Sequence, residues 1–503
     1  MITNILEYLE ISAKKYPHKK AFVDEQTEYT YHELQHYGQS IGSKLAEYNM
    51  IRRPIVVYLE KSVKMIAAFA GILYSGNFYC PIDVSMPAQR IKSILDILET
   101  AVVITDKEHA PAISHMGSYD LLIYDEIMNH TRDLERLNAI RGKVIDMDPM
   151  YVLFTSGSTG VPKGVVVTHQ SVIEYTEWVT KTFNITNQDS FGNQAPFYFD
   201  NSILDIYCGL KNGATVYIIP KSCFVFPMQL LEYLNQNKIT TIFFVPSALC
   251  TIAKLKALKK IPLITLKKVL FCGEVMPNKY LNIWRTYLPD ALYANLYGPT
   301  EITDVCTCYI VDREFKDDEP LPIGKACQNT DFLILNEEKE AVLKGEIGEL
   351  CIRGRSLALG YYKNTEKSNQ VFIQNPLNNE YRDFIYCTGD LVRLNERDEL
   401  IYVGRTDFQI KHMGHRIELG EIEVAAGGIE GIETCACIYD DRRQKIVFFY
   451  TGKKFDAEDL DDFMIQKVPD YMIPNIKIQL EEFPYNANGK IDRKQLKELY
   501  LIM

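Results

Sequence analysis

Residues 151–169, YVLFTSGSTGVPKGVVVTH, read as a strand, a glycine-rich loop and a second strand. Such a loop usually holds a phosphate, because its glycines let backbone N–H groups converge on an anion. The hydroxyls of Thr155, Ser156, Ser158 and Thr159 and the ammonium of Lys163 supply further donors. It is not a Walker loop: Lys163 follows Pro162 instead of Gly, and Gly164 stands where Ser or Thr is required. Three other stretches carry residues suited to the same chemistry. NLYGPTEIT (295–303) sets an aromatic ring, a Gly-Pro turn and Glu301 together. YCTGDLV (386–392) places Asp390 on a tight turn, and NANGKIDRK (486–494) presents Lys490 on a hairpin-like Asn-Gly turn. Taken singly, a turn aspartate or an exposed lysine is ordinary surface.

These stretches need a scaffold. Helix and strand signals alternate along most of the chain, which favours α/β layers. Thr30 and Glu33 make a capping box ahead of Leu34, Tyr37, Ile41 and Leu45 on one helical face. IVVYLE (55–60) and AVVITD (101–106) read as buried strands, with a helix in SVKMIAAFAGILYSG after the first. LKKVLFCGE (266–274) is a strand ending in Gly-Glu, a place where ligands gather in parallel sheets. After about residue 320, short strands between turn residues predict an appended barrel-like β piece. The final hundred residues read as a small α+β unit ending in the helix DRKQLKELYLIM. The expected division is a large N-terminal domain over 1–404, built of layered α/β subdomains plus a small barrel-like β subdomain. A hinge at 405–407 and a small mobile α+β domain over 408–503 complete it.

Composition narrows the function classes. Lys plus Arg number 55 against 66 Asp plus Glu, a net charge of −11, with no basic run beyond short doublets. That argues against nucleic acid as a partner. The start, MITNILEYLEISAKKYP, carries Glu7 and Glu10 before any Lys and lacks a long apolar core, so it is no secretory signal. The most apolar window, TIFFVPSALCTIA (241–253), is too short for a membrane span and contains Pro246. A cytoplasmic protein without a membrane span is expected. The twelve cysteines form two C-x-C pairs but no zinc-like array, and most read as small core residues in a reducing compartment.

In chain order, TSGSTGVPKG, YGPTE, YCTGD, GRTDFQIKHMGHRIELGEIE and NGKIDRK resemble the acyl- and aminoacyl-adenylate-forming superfamily. That superfamily includes the adenylation domains of peptide synthetases, acyl-CoA ligases and luciferases, and the resemblance covers nearly the whole chain. NQAPFYFDNSILDIY (193–207), LFCGEVMPN (270–278) and the end at residue 503 are similar to the stand-alone D-alanine:D-alanyl carrier protein ligases. The resemblance implies two half-reactions. A carboxylate attacks the α-phosphorus of ATP, giving an acyl-adenylate and pyrophosphate; a thiol then attacks the adenylate and releases AMP.

Roles follow from the same resemblance. Thr155, Ser156, Thr159 and Lys163 would hold the β- and γ-phosphates, with Gly157, Ser158 and Gly160 in the same loop. Glu301 would help coordinate Mg²⁺ and Thr300 would touch the α-phosphate. Tyr297 would stack on adenine, with Gly273 and Glu274 lining the other face and Asn295 and Gly298 completing the nucleotide set. Asp390 would accept the ribose hydroxyls, with Arg405 nearby. Lys490 would bridge the carboxylate, the α-phosphate and the ribose ring oxygen, and Asp407 would be the hinge about which the small domain turns between half-reactions. KHMGHR (411–416) would then face the pantetheine arm.

Asp200 matches the aspartate that pairs with a substrate α-ammonium, which selects amino acids over fatty or aryl acids and argues against an acyl-CoA ligase. The rest of the pocket would be Asn201, Leu204, Phe243, Leu270, Cys272, Leu296, Asp304 and Val305. It looks small, as alanine requires, but Asn201 and Asp304 depart from a plain alanine pocket. A second buried carboxylate is costly unless paired. Either it faces solvent or a protein donor, or the substrate carries an extra amine or hydroxyl. The readings are therefore a D-alanine:carrier protein ligase, or the same chemistry on another small or polar amino acid in a peptide-type pathway. A nucleotide-binding regulator without turnover is the remaining class, and the complete catalytic set argues against it. With no carrier-domain or condensation signature in the sequence, the acceptor is expected to be a separate phosphopantetheinylated carrier protein.

Overall fold

A computed structural model describes residues 2–157, 160–485 and 491–502. The chain divides into two compact units. One comprises Met1–Val84, Leu98–Leu153 and Val165–Gly404; the other comprises Ser85–Ile97, Phe154–Gly164 and Arg405–Met503.

The larger unit is built on sheets, several of whose inner strands are buried on both faces. A nine-stranded sheet has a parallel centre, in which Lys20–Val23, Thr215–Ile218, Ser190–Asn193, Thr241–Phe244, Lys268–Phe271 and Leu292–Tyr297 lie side by side. Antiparallel strands close its two edges. A seven-stranded sheet carries Pro54–Tyr58 and Val102–Thr105, both fully buried along their length. Continuous apolar runs such as PIVVY are what a strand covered on both faces needs. The helix Val63–Tyr74 is buried everywhere except Lys64, so it too is interior. The capping box forms as the sequence predicts: Thr30 Oγ1 accepts from the Glu33 N–H and the Glu33 carboxylate accepts from the Thr30 N–H at 2.8 Å, starting the helix Tyr31–Ala46. Residues from both sheets and the helices around them share one core.

A third sheet of five strands contains Thr330–Leu335, Gly348–Gly354, Phe372–Gln374, Phe384–Leu394 and Leu400–Arg405. Layered α/β sheets with a curled β piece are the architecture expected from the sequence. One local expectation fails. YCTGDLV is not a tight turn but the middle of the eleven-residue strand Phe384–Leu394. Its register against Gly348–Gly354 slips between Glu349 and Cys351, a bulge in which Gly389 takes φ +74. The Glu349 carboxylate accepts from the Gly389 N–H at 3.0 Å, and Thr388 Oγ1 donates to the Leu350 carbonyl at 2.7 Å. A glycine flanked by hydrogen-bonding residues serves a bulge as well as a turn.

The smaller unit contains the hairpin Gln409–His412 and His415–Glu418. It also holds the helix Leu419–Gly427 and a three-stranded sheet of Ile432–Asp440, Lys445–Gly452 and Ile476–Gln479. The terminal helix runs Arg493–Ile502. All twelve cysteines are free thiols, ten of them buried, in keeping with a core role. No described helix is long and apolar enough to cross a membrane.

One buried histidine sets a pH dependence. His169, 2% exposed, accepts the Ile5 N–H at Nδ1. Burial, aided by the charge of Arg141 and opposed by Asp148, pushes its pKa down to about 3. The unfolded chain takes the proton first, so its contribution to stability is complete above pH ~6.5 and is lost as pH falls toward about 3, at up to about 1.4 kcal/mol per pH unit. Urea unfolding between about pH 7.5 and about pH 5, across the range in which a free histidine titrates, should show a shallower acid loss in His169→Gln than in the parent; equal slopes would contradict the assignment.

Candidate functional site

Within the larger unit, three elements end at one place. The strand Lys268–Phe271 leads into Cys272, Gly273 and Glu274. The strand Leu292–Tyr297 leads through Gly298-Pro299 into the 3₁₀ turn Thr300–Ile302. Asp200 and Asn201 precede the helix Ser202–Asn212. Strand ends in a parallel sheet are where a ligand finds unpaired backbone and convergent side chains.

The apolar side chains expected in the pocket are interior. Leu204, Phe243, Leu270, Cys272, Leu296 and Val305 are all buried in the same core cluster. Thr300 Oγ1 donates to Asp200 Oδ2 at 2.6 Å. The hydrogen-bond network turns the amide nitrogen of Asn201 toward two carboxylates, donating to Asp304 Oδ1 at 3.2 Å and Asp200 Oδ1 at 3.3 Å. Asp304, 1% exposed, also accepts the Tyr175 hydroxyl at 2.6 Å on Oδ2. Burial first, and the neighbouring charge of Asp200 second, raise its carboxyl well above the usual carboxylate range, while the Tyr175 bond works the other way.

The turn that delivers Asp304 is strained. Thr303 and Asp304 both have positive φ, +59° and +73°, an unfavourable region for non-glycine residues and one often met at functional sites. Gly298 allows it, since a Cβ there would lie 2.3 Å from the Asp304 carbonyl oxygen and 2.8 Å from Val305 Cα. Gly298→Ala should therefore displace the Asp304 segment, costing about 1–3 kcal/mol of stability. A melting temperature unchanged from the parent would contradict this packing.

The expected nucleotide residues divide between the units. In the larger one, Tyr297 is buried and donates its hydroxyl to Asp390, itself 2% exposed. Asn295 Nδ2 donates to the Pro322 carbonyl at 2.8 Å. The Glu274 carboxylate accepts the Ser247 N–H at 2.8 Å, and Gly273 has φ +100°. Glu301 is fully buried and accepts the Tyr361 hydroxyl at 2.7 Å. In the smaller unit, Thr155 ends a strand, and Lys163 opens the next strand instead of lying in the loop. Ser156 Oγ donates to the Arg416 carbonyl at 2.8 Å and accepts the Glu418 N–H at 3.2 Å, and Lys163 pairs with Glu418 at 3.3 Å. Gly157 is buried and Gly160 has φ +78°. Arg405 grips Asp407 through two bonds of 2.6 and 2.9 Å. Burial works against that carboxylate, but the bond and charge from Arg405 hold it below its ordinary range. Ser158, Thr159 and Lys490 lie outside the described residues.

Two features suit a nucleotide polyphosphate and its cation. Thr155 Oγ1 is buried with no hydrogen-bond partner among the described residues, an orphan that a phosphate oxygen would satisfy. Glu301 offers a buried carboxylate, and one carboxylate with phosphate oxygens is a donor set Mg²⁺ accepts. Sequence reasoning missed Tyr175, Tyr361 and Glu418. Nothing marks a tyrosine inside a helix as the partner of a carboxylate 129 residues away.

Comparisons with known proteins give the family. The profile of the AMP-binding enzyme family matches residues 9–362. D-alanine--D-alanyl carrier protein ligase of Listeria monocytogenes is 33% identical over 525 residues, covering 99% of this chain and 99% of that protein. Gramicidin S synthase 1 of Brevibacillus brevis is 32% identical over 501 residues; the match covers 98% of this chain but only 44% of the synthase. Among solved structures, holo-PA1221, an NRPS protein containing adenylation and PCP domains, has a TM-score of 0.83 at 23% identity, covering 99% of this chain and 84% of that one. The chain belongs to the AMP-binding enzyme family. Within it, the chain is an adenylate-forming enzyme related both to D-alanine carrier protein ligases and to peptide-synthetase adenylation domains.

Proposed function

We propose that this chain joins a small amino acid to AMP, using ATP, and passes the aminoacyl group to the phosphopantetheine thiol of a separate carrier protein. One observation supports the amino-acid part: Asp200 accepts the Thr300 hydroxyl at 2.6 Å and is linked through the Asn201 amide to the buried Asp304. A carboxylate there complements an α-ammonium and rejects a plain fatty or aryl acid.

In the first half-reaction a carboxylate oxygen forms a bond to the α-phosphorus and the bond to the β-phosphate bridging oxygen breaks, releasing pyrophosphate. Both partners are anionic, so alignment and charge neutralisation dominate. Asp200 orients the amino acid, Thr155, Ser156 and Lys163 hold phosphate oxygens, Tyr297 and Asp390 hold adenosine, and Lys490 neutralises charge where it builds up. Mg²⁺, held by Glu301, would supply further neutralisation of the phosphates. In the second half-reaction a thiolate attacks the acyl carbon and AMP leaves. The small domain beyond the Arg405–Asp407 hinge would exchange Lys490 for the hairpin around His412 between the two.

The relatives at 33% identity support D-alanine as the amino acid. The buried Asp304 favours instead another small amino acid with a polar side chain, loaded onto a carrier in a peptide-type pathway. The test is ATP–pyrophosphate exchange by the purified chain with a panel of amino acids, and with fatty and aryl acids as controls. Exchange that depends on an amino acid is expected; exchange driven only by fatty or aryl acids, or none with any acid, would overturn the proposal.

A further inference from the structure

We propose that Asp304 tunes this pocket to an amino acid whose short side chain carries a second ammonium group. The inference rests on the amino-acid activation proposed above and specifies its substrate class.

Three observations carry it. The first is charge. Asp304 is 1% exposed, and its partners are the Tyr175 hydroxyl at 2.6 Å and the Asn201 amide at 3.2 Å. Both donors are neutral. Among the described residues no Lys, Arg or His pairs with Asp304. Two neutral donors satisfy the oxygens but bring no positive charge, so ionising this buried carboxyl stays costly until a cation faces it. The second is its neighbour. Asn201 spans Asp304 and Asp200, donating to one oxygen of each at 3.2 and 3.3 Å. A substrate α-ammonium on Asp200 places the rest of a short amino acid beside Asp304. A second ammonium, one or two carbons further along, then balances the second carboxylate.

The third is an orphan acceptor. Tyr151 is fully buried, and its hydroxyl has no hydrogen-bond partner among the described residues. The carboxylates of both Asp200 and Asp304 lie near enough to bear on that hydroxyl, after burial itself. An ammonium between the two carboxylates would give the Tyr151 oxygen the donor it lacks. Leu204, Phe243 and Leu296, expected to line the same pocket, are large and buried, which suits a short side chain. An alanine methyl group would leave both Asp304 and Tyr151 as they are, and a hydroxyl would leave the charge unbalanced.

The experiment compares kcat/KM for pyrophosphate exchange by the full chain with D- and L-alanine, serine, diaminopropionate, diaminobutyrate and lysine. Diaminopropionate or diaminobutyrate should exceed alanine and serine by at least roughly tenfold, with lysine poor because it is too long. Asp304→Asn should lower the rate with the diamino acid roughly a hundredfold and with alanine by clearly less, so that the ratio of the two falls at least roughly tenfold. Tyr151→Phe should lower the diamino acid alone. Alanine or serine outrunning the short diamino acids in the unsubstituted chain overturns the inference and leaves amino-acid activation standing. An equal loss for alanine and diamino acid in Asp304→Asn also overturns it, since that is a structural role. No exchange with any amino acid overturns the underlying activation instead. If Asp304→Asn fails to fold, the ranking by the unsubstituted chain still decides.

Discussion

Replacing Asp200 with alanine is expected to lower amino-acid-dependent pyrophosphate exchange by roughly a hundred- to thousand-fold, the size of losing one partner of a buried charged pair. Asp200 is held from two sides, by Thr300 Oγ1 at 2.6 Å and by the Asn201 amide at 3.3 Å. It is therefore pre-positioned, so that little ordering accompanies substrate binding. Truncation would remove the proposed acceptor for the α-ammonium. It also leaves the Thr300 hydroxyl and the Asn201 amide without their partner. Asp200→Asn should recover only part of the loss, because it restores shape and hydrogen bonding without charge. The loss should fall mainly on the amino acid. The nucleotide is assigned to other residues, so nucleotide binding measured by calorimetry should change less than a few-fold. A variant that exchanges pyrophosphate at the parent rate would remove Asp200 from the account.

The second large effect concerns Lys490, and it separates the two half-reactions. Lys490→Ala is expected to abolish adenylate formation, a loss of at least roughly a thousandfold, while sparing thiol transfer from a supplied aminoacyl-adenylate. The ammonium is assigned to the α-phosphate, where negative charge concentrates as the carboxylate attacks and pyrophosphate departs. In the thiol step the phosphorus is no longer the reacting centre, and the leaving AMP needs less assistance. Equal loss of both steps would show that Lys490 serves binding or stability, and the division of labour between half-reactions would fail.

Much of the scaffold is legible in the sequence for local reasons. Thr30 and Glu33 announce a helix start because they satisfy each other's backbone groups at a fixed spacing. PIVVY and VVIT announce buried strands because apolar β-branched runs have no other economical place. Asp390 was harder. A glycine before an aspartate reads as a turn, and only the pairing of Phe384–Leu394 with Gly348–Gly354 turns it into a bulge. Lys163 likewise opens a strand where the pattern suggests loop. The pocket shows the limit most clearly. Asp304 stands out in sequence as a carboxylate in an otherwise apolar set, yet its hydrogen bond to Tyr175 spans 129 positions and the orphan hydroxyl of Tyr151 depends on packing. Such relations belong to tertiary structure, and no local pattern encodes them.

The central claim is that a carboxylate oxygen becomes bonded to the α-phosphorus of ATP. It can be read directly by mass. The amino acid selected by the exchange panel is prepared with its carboxylate fully ¹⁸O-labelled and incubated with ATP, Mg²⁺ and the full chain, using hydroxylamine to intercept the activated acyl group. The account predicts AMP carrying one ¹⁸O atom, with unlabelled pyrophosphate. Unlabelled AMP, or ADP with ¹⁸O in inorganic phosphate, would place the attack elsewhere and contradict it.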